Sequence, residues 1–211
     1  AMSHAKVYVN GQEVGYWPYG YNSFYFDITK QLIPGKKNTL AVRLENLPES
    51  SRWYPGAGLY RNVHVIVTEN AYIPVWGTYI TTTKEFAKVN VQTKIVLPEG
   101  ADASKYSVKT SVWNPNGQKL TEQTTPLSQI KYNDNSLSQE FIIQTPTLWS
   151  PDMPALYVAE SRLYKNGTEL KDTYSTPFGI RSIEIIPGKG FFLNGEKTVF
   201  KGVCNHHDLG P

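Results

Sequence analysis

The sequence predicts an all-β fold built from two β-sandwich domains, and three features of its 211 residues support this. Apolar residues alternate with polar ones over short segments, which is the pattern of half-buried strands. Four Asn-Gly steps lie beside such segments, and this dipeptide suits the positive φ angles of tight hairpin turns. No window of helical length has apolar residues at spacings of three and four. Short strands joined by Gly- and Pro-containing turns are typical of a sandwich or a barrel.

Residues 1–69 form the first predicted domain. Its alternating segments are Ala5–Val9, Leu40–Leu44 and Val63–Val67, and Asn10-Gly11 predicts a hairpin after the first of them. A lone sheet of four or five strands leaves one face uncovered. We therefore expect this segment to be the C-terminal part of a sandwich whose other part is absent, and to exchange strands, pair with a second copy or be partly disordered.

A second domain, residues 70–186, follows a Pro-containing connector. It contains roughly seven segments with strand character over about 110 residues, which is typical of an immunoglobulin-like sandwich. Asn116-Gly117 and Asn166-Gly167 predict hairpins within it, and Trp149 is expected in its core. The predicted strands are 75–83, 87–97, 106–113, 118–124, 137–144, 155–165 and 168–185, the last of them broken at Pro177.

The third predicted unit, residues 187–211, has a hairpin at Asn194-Gly195 and a short buried strand over 197–203. A polar cluster follows this strand directly. Enzymes with parallel sheets or barrels place active-site residues at the carboxyl ends of strands. The cluster is therefore the first candidate site, and its members are Cys204, Asn205, His206, His207 and Asp208.

Composition excludes several classes of protein. The net charge is only +3 and the basic residues are scattered, so there is no footprint for nucleic acid or a membrane surface. No segment approaches the length of a membrane span, and Ala1–Ala5 has neither the basic segment nor the apolar segment of a signal peptide. The single cysteine, Cys204, excludes an intrachain disulfide framework but does not indicate a compartment.

Seven motifs, taken in order, resemble glycoside hydrolase family 2. Each motif alone is weak, and their order and spacing together are specific. The resemblance implies a β-galactosidase-like parent with a partial jelly-roll sugar-binding domain in residues 1–69, an immunoglobulin-like sandwich, and the leading hairpin and first strand of a (β/α)₈ barrel that is otherwise missing. The motifs are KVYVNGQEVG at 6–15, FDIT at 26–29, NTLAVR at 38–43, RWYPGAGLYR at 52–61, FGIR at 178–181, FLNGE at 192–196 and KGVCNHHD at 201–208.

The resemblance also implies which chemical groups this chain lacks. Retaining glycosidases use two carboxyl groups about 5 to 5.5 Å apart, one as the acid and one as the nucleophile. In the family both are glutamates on later barrel strands, beyond Pro211. We therefore expect this chain to have no catalytic residue, cofactor or metal site, and to be inactive alone, while its parent hydrolyses terminal β-galactosides or related β-glycosides.

At the strand end, His206 matches a family histidine that hydrogen-bonds substrate hydroxyls, a role that neutral imidazole fills as both donor and acceptor. Asn205 stands where many relatives have arginine, and Asp208 is expected to support the site. The alternative is that these side chains cap the strand. Zinc binding is another role open to this cluster, but adjacent histidines on an extended strand point to opposite faces and seldom converge on one ion.

The loop 49–54 is the second candidate site that the resemblance implies. Ser51 stands where better-known β-galactosidases have an aspartate, and a hydroxyl binds a sugar less strongly than an ionised carboxylate does. Arg52 and Trp53 are the other candidates in this loop, although an aromatic residue on a β scaffold more often packs in a core. The aromatic run 16–21 offers a possible carbohydrate platform, but packing at the strand end is favoured.

Two function classes stay open. The favoured one is a glycosidase fragment with a carbohydrate substrate, no nucleic-acid or membrane partner and a homo-oligomeric parent. The alternative is a non-catalytic carbohydrate-binding or adhesion module. The discriminating feature is residues 192–211, because a lone buried strand after a hairpin needs barrel partners on both faces. The compartment is not fixed by the sequence, and the resemblance favours the periplasm or the cell exterior.

Overall fold

The computed structural model describes residues 1–45, 47, 57–83, 88–129 and 135–203. The chain divides into two compact units, Ala1–Ile66 and Val67–Pro211. Within the described ranges the secondary structure consists of thirteen strands in four antiparallel sheets, with three single turns of 3₁₀ helix. The all-β prediction is confirmed.

The bounds of these elements follow in chain order. The strands are β1 Ala5–Val9, β2 Gln12–Trp17, β3 Leu40–Arg43, β4 Thr78–Thr82, β5 Lys88–Lys94, β6 Tyr106–Trp113, β7 Lys119–Pro126, β8 Ser136–Ile142, β9 Tyr157–Lys165, β10 Glu169–Phe178, β11 Ile183–Ile186, β12 Gly190–Leu193 and β13 Glu196–Lys197. The 3₁₀ turns are Thr29–Gln31, Ala103–Lys105 and Leu127–Gln129.

The first unit contains one sheet with the strand order β2-β1-β3. Its central strand, β1, alternates between buried and half-buried residues. One face is covered by aromatic rings, because Trp17 stacks on Phe24 at 5.8 Å and Phe24 meets Phe26 at 5.5 Å between ring centroids. The Phe26 ring fills the space beside Gly15, which pairs with Val7 of β1. The face expected to be bare therefore has a local aromatic cover.

The strand predicted over Val63–Val67 is absent from the described structure. The side chains of Val63, Val65 and Val67 are 56%, 68% and 87% exposed. Alternation indicates which side chains share a face, but a strand also needs a neighbour to complete its backbone hydrogen bonds. No described strand pairs with this segment. The assignment of residues 1–69 to part of a larger sandwich stays a prediction.

Two sheets of the second unit pack face to face, with strand orders β4-β5-β8 and β10-β9-β6-β7. Val89, Val91 and Phe141 of the first sheet share a core cluster with Val112 and Ala159 of the second, and each is at most 3% exposed. The seven predicted strands account for both sheets, so the sandwich is confirmed, while its immunoglobulin-like assignment stays a prediction. A second cluster extends this core and consists of Ala71, Ile95, Tyr106, Val108, Leu127, Leu137 and Leu163.

Side chains of β10 also hold the connector that precedes β4. Lys171 pairs with a carboxylate of the connector, while Asp172 and Tyr174 accept hydrogen bonds from its backbone amides. The connector is therefore held without pairing as a strand. This row of contacts closes one side of the sandwich. Its members are Lys171 Nζ to Glu69 Oε2 at 2.8 Å, Ile73 N to Asp172 Oδ2 at 2.8 Å and Trp76 N to Tyr174 Oη at 3.0 Å.

The break predicted at Pro177 is in the wrong place. Pro177 lies inside β10, opposite Val158 of β9. β10 is an edge strand, where the missing N–H of proline can face away from the ladder. The strand pattern is interrupted instead at 179–182, and β11 then joins β12 and β13 in a separate three-stranded sheet.

The strand predicted over 197–203 is also largely wrong. β13 contains only Glu196 and Lys197, and the residues 198–203 that follow have no strand structure. Val199, Phe200 and Val203 are 71%, 74% and 85% exposed. Within the described part of the chain this segment pairs with neither sheet of the sandwich, and the bond from the Thr198 N–H to the Phe191 carbonyl of β12 is not continued, so the segment lacks the continuous ladder that a strand requires.

All four Asn-Gly hairpins are confirmed. Asn10, Asn166 and Asn194 have φ angles of 51°, 51° and 53°, and the glycine after each is also left-handed, as a tight two-residue turn requires. The turn at Asn116 differs because only Gly117 is left-handed.

Among the described residues, no helix has the length and the apolar character needed to span a membrane.

Replacing Leu163 by alanine should lower the free energy of unfolding by about 2 to 5 kcal/mol, because a fully buried leucine leaves a cavity in the sandwich core. The matched control is Leu170→Ala on the adjacent strand, where the side chain is 48% exposed and the change should be within about 0.5 kcal/mol. Urea unfolding of the chain measures both. Equal losses for the two variants would contradict the assignment of Leu163 to the core.

Glu122 should titrate well below an ordinary glutamate. Hydrogen bonds from Lys119 at 2.8 Å and Lys109 at 2.9 Å lower the pKa of Glu122 from 4.5 to about 2. A pKa lowered by folding stabilises the native state above the unfolded pKa, and this contribution is lost as the pH falls from about 4.5 towards 2. The deficit of Glu122→Gln in unfolding free energy should therefore shrink across this window.

The direct measurement is an NMR titration of the Glu122 carboxyl, with Lys119→Gln as the comparison. Removing the Lys119 ammonium should move the titration midpoint upward, and added salt should do so as well, because the pair is exposed. A midpoint near 4.5 in the unaltered chain would contradict this prediction.

Candidate functional site

The six predicted site residues lie outside the described residues. Ser51, Arg52 and Trp53 belong to the gap at 48–56, and Asn205, His206 and Asp208 belong to the gap at 204–211. Their predicted contacts therefore stay predictions. What the structure does describe is the residues on which these two segments are mounted.

The loop that carries Ser51 has both of its flanks attached to one short segment, Met2–Ser3. Glu45 donates its backbone N–H to the Ser3 carbonyl at 3.0 Å, and Ser3 Oγ donates to the Glu45 carbonyl at 3.1 Å. Gly58 and Met2 exchange two backbone hydrogen bonds at 3.1 and 3.2 Å. Because Met2 and Ser3 are adjacent, Glu45 and Gly58 lie close together on the first unit.

The aromatic run 16–21 is attached to the same place. Tyr60 Oη donates to the Gly20 carbonyl at 2.7 Å. Gly20 itself lies against Met2, since a Cβ on Gly20 would collide with the Met2 sulfur. Tyr19 and Tyr21 are 5.5 Å apart between ring centroids and are more than half exposed. Packing is thus observed for Trp17, whereas these two tyrosines face solvent.

The segment that leads to His206 is held by β12 for a short distance only. Thr198 donates its backbone N–H to the Phe191 carbonyl at 2.9 Å, and the Phe191 and Phe200 rings meet at 4.7 Å between centroids. Lys201, Gly202 and Val203 are exposed. β12 therefore fixes the first residues of the path towards the terminal cluster.

Shifted pKa values in the described residues have local structural causes. Hydrogen bonds from the hydroxyl and the amide of Thr29 lower the pKa of Asp27, and those of Ser104 lower the pKa of Asp102. Glu169 and Glu69 both pair with Lys171 and raise its pKa. Each of these groups is explained by a turn or an ion pair. None requires a role in proton transfer.

A surface hollow of about 410 Å³ lies between the connector and the sandwich. Its charged lining includes Lys171, whose ammonium already contacts Glu69 and Glu169. Lys165 Nζ lies 5.9 Å from the centroid of the Tyr106 ring and covers it.

Among the described residues no group of three or more His, Cys, Asp or Glu is placed to hold a metal ion.

Two supports of the candidate segments were not predicted from the sequence. The Met2–Ser3 attachment carries no sequence signal, because small or flexible residues near a chain terminus are common. Trp149 was expected in the sandwich core, and it lies instead at the junction with the third sheet, where it is only partly buried. Its neighbour in that junction, Asn194, was predicted only as a turn residue.

Comparison with known proteins places these features in a family. The family model described as "Glycosyl hydrolases family 2" matches residues 71–181, the sandwich of the second unit. A beta-galactosidase of Bacteroides ovatus is 36% identical over 98% of this chain and 25% of its own length. A putative beta-glucuronidase of Formosa agariphila is 34% identical over 99% of this chain and 19% of its own.

Solved structures give the same result. A glycosyl hydrolase family 2 member from Bacteroides cellulosilyticus matches with a TM-score of 0.85 and 32% identity, covering 98% of this chain and 27% of that one. A beta-glycosidase from Bacteroides vulgatus matches with a TM-score of 0.79 and 31% identity, covering 98% and 26%.

The chain therefore spans about a quarter of the length of the relatives named here. The family model covers more than half of the chain, and the structural match extends over nearly all of it. The chain belongs to glycosyl hydrolases family 2.

Proposed function

We propose that this chain forms the non-catalytic β-domains of a retaining glycosidase that hydrolyses terminal β-galactosides. The observation that carries the proposal is the match of nearly the whole chain, at a TM-score of 0.85, to about a quarter of a solved family member. The relatives are named as galactosidases and glucuronidases, which supports a β-glycoside as the substrate class. In this proposal the two catalytic glutamates lie on barrel strands outside this chain.

In this proposal the chain supports catalysis by holding two polar segments, the loop 49–54 and the cluster 204–208, against the substrate. His206 exchanges hydrogen bonds with a sugar hydroxyl, and Asn205 and Asp208 complete that contact. Ser51, Arg52 and Trp53 approach the sugar from the first unit. The attachment of Glu45 and Gly58 to Met2–Ser3 supports this role, because a binding loop needs fixed ends to keep its side chains in place.

The choice between a galactoside and a glucuronide rests on charge. A glucuronide carries a carboxylate, for which a bidentate arginine is the preferred partner. A galactoside presents only hydroxyls, which the Ser51 hydroxyl and the His206 imidazole can serve. We propose the galactoside because three of the six candidate side chains, Asn205, His206 and Ser51, are neutral polar groups. Arg52 is the one cation among the six candidates, and it would serve a glucuronide.

The alternative is a non-catalytic carbohydrate-binding or adhesion module. The exposed apolar side chains of Val199, Phe200 and Val203 favour the enzyme over this alternative, because a free module gains nothing from an unpaired apolar segment after its last hairpin. A further domain packed on this segment would bury it.

The full gene product should hydrolyse a chromogenic aryl β-D-galactoside with a higher kcat/KM than the matching β-D-glucuronide. The 211-residue chain alone should hydrolyse neither, because it would lack both carboxyl groups of the retaining mechanism. Release of the chromophore measures both rates, using protein from a host without β-galactosidase. Turnover by the isolated chain would contradict the proposal, and sugar binding without turnover by the full product would support the module instead.

His206→Ala in the full gene product should lower kcat/KM for the galactoside by about 10- to 100-fold, the range expected when a sugar hydroxyl loses a buried hydrogen-bond partner. The control is His64→Ala, because His64 is an exposed histidine of the first unit. Initial rates over a range of substrate concentrations give both constants. Equal kcat/KM values for the two variants would exclude a substrate contact for His206.

A further inference from the structure

The backbone of Trp149 joins the sandwich to the third sheet. Its N–H donates to the Ile180 carbonyl at 2.8 Å, two residues after β10 ends. Its own carbonyl accepts from Asn194 Nδ2 at 3.1 Å, in the turn between β12 and β13. A single residue in the segment between β8 and β9 is therefore hydrogen-bonded to both structures.

The Asn194 side chain uses both ends of its amide. While Nδ2 donates to Trp149, Oδ1 accepts from the Ser182 backbone N–H at 3.1 Å. The backbone N–H of Asn194 also donates to the Ser182 carbonyl at 3.0 Å. Asn194 thus binds Ser182, the residue before β11, on one side and Trp149 on the other.

The Trp149 side chain fits closely against the same junction. A Cβ added to Gly179 would lie 2.8 Å from both Cβ and Cγ of Trp149, so only glycine allows this approach. The Arg181 guanidinium carbon lies 4.9 Å from the centroid of the Trp149 ring, a distance at which a cation is attracted to the aromatic face. Side-chain packing and backbone hydrogen bonds therefore fix the same residue.

The turn geometry does not by itself require these side-chain contacts. Asn166 and Gly167 form a turn with nearly the same φ angles as Asn194 and Gly195. Yet the Asn166 side chain forms no hydrogen bond with any described residue. The two bonds of the Asn194 amide are therefore additional to the turn.

We infer that Asn194 is a positioning residue: its side-chain amide fastens the third sheet (β11–β13) to the sandwich at Trp149 and so sets the direction of residues 198–203. This inference rests on the proposed function, since those residues lead to the proposed substrate contact at His206. The third sheet is joined to β10 by the short segment 179–182. An added constraint at the far turn of this sheet therefore limits rotation about that segment.

Two substitutions separate the amide from the turn. Asn194→Asp keeps a residue that tolerates the left-handed turn and keeps the acceptor for Ser182, but it places a carboxylate oxygen against the Trp149 carbonyl. Asn194→Gly keeps the turn and removes both side-chain bonds. Asn166→Asp and Asn166→Gly are the matched controls in the other hairpin.

The experiment combines amide hydrogen exchange with kinetics on the full gene product. Both Asn194 variants should raise exchange in β11 and β12 by about tenfold and lower kcat/KM for the galactoside by about tenfold. Both Asn166 variants should change neither quantity. A protonated aspartate regains a donor, so the exchange defect of Asn194→Asp should shrink at low pH, while that of Asn194→Gly should not.

Each outcome decides a separate point. Unchanged exchange in the Asn194 variants overturns the fastening role. Raised exchange with wild-type kcat/KM overturns the positioning role. An unaltered enzyme that hydrolyses no β-glycoside refutes the proposed function, and the exchange measurements still decide whether Asn194 fastens the third sheet.

Discussion

Burial of alternate side chains between the two sheets of the second unit is the constraint on which the rest of the structure depends. Val89 and Val91 on one sheet face Val112 and Ala159 on the other, and none of them is exposed. Strand pairing within each sheet holds these rows in register, since a slip of one residue would turn every apolar side chain outward. The connector, the side-chain contacts of β10 and the third sheet all attach to this block.

The two candidate segments have similar supports. The loop with Ser51 is flanked by Glu45 and Gly58, which share Met2 and Ser3 as partners. The segment towards His206 follows a sheet that is bonded to Trp149 by Asn194. In both units, polar contacts made outside any sheet hold the described residues next to a candidate segment. Fixed ends of this kind are what the proposed role of these two segments requires.

The sequence was sufficient where a local rule decides the structure. Alternation predicted all seven strands of the sandwich, and Asn-Gly predicted every one of the four hairpins, because the turn needs left-handed residues. It failed at Val63–Val67 and at 198–203, where the apolar pattern is present but no described strand supplies a continuous ladder of hydrogen bonds. The roles of Ser3 and Trp149 depend on partners distant in sequence, which no local pattern contains. The candidate site itself came from motif resemblance, and its residues lie outside the described ranges.

Pro177 has a consequence beyond the course of β10. The outer strand of any sheet offers free amide and carbonyl groups to which another molecule can add a strand, a common origin of aggregation. A proline in that strand removes one of the donors, and the carboxylates and hydroxyls that bind the connector occupy neighbouring positions. This side of the sandwich is therefore a poor template for growth of a larger assembly, which favours solubility during synthesis and refolding.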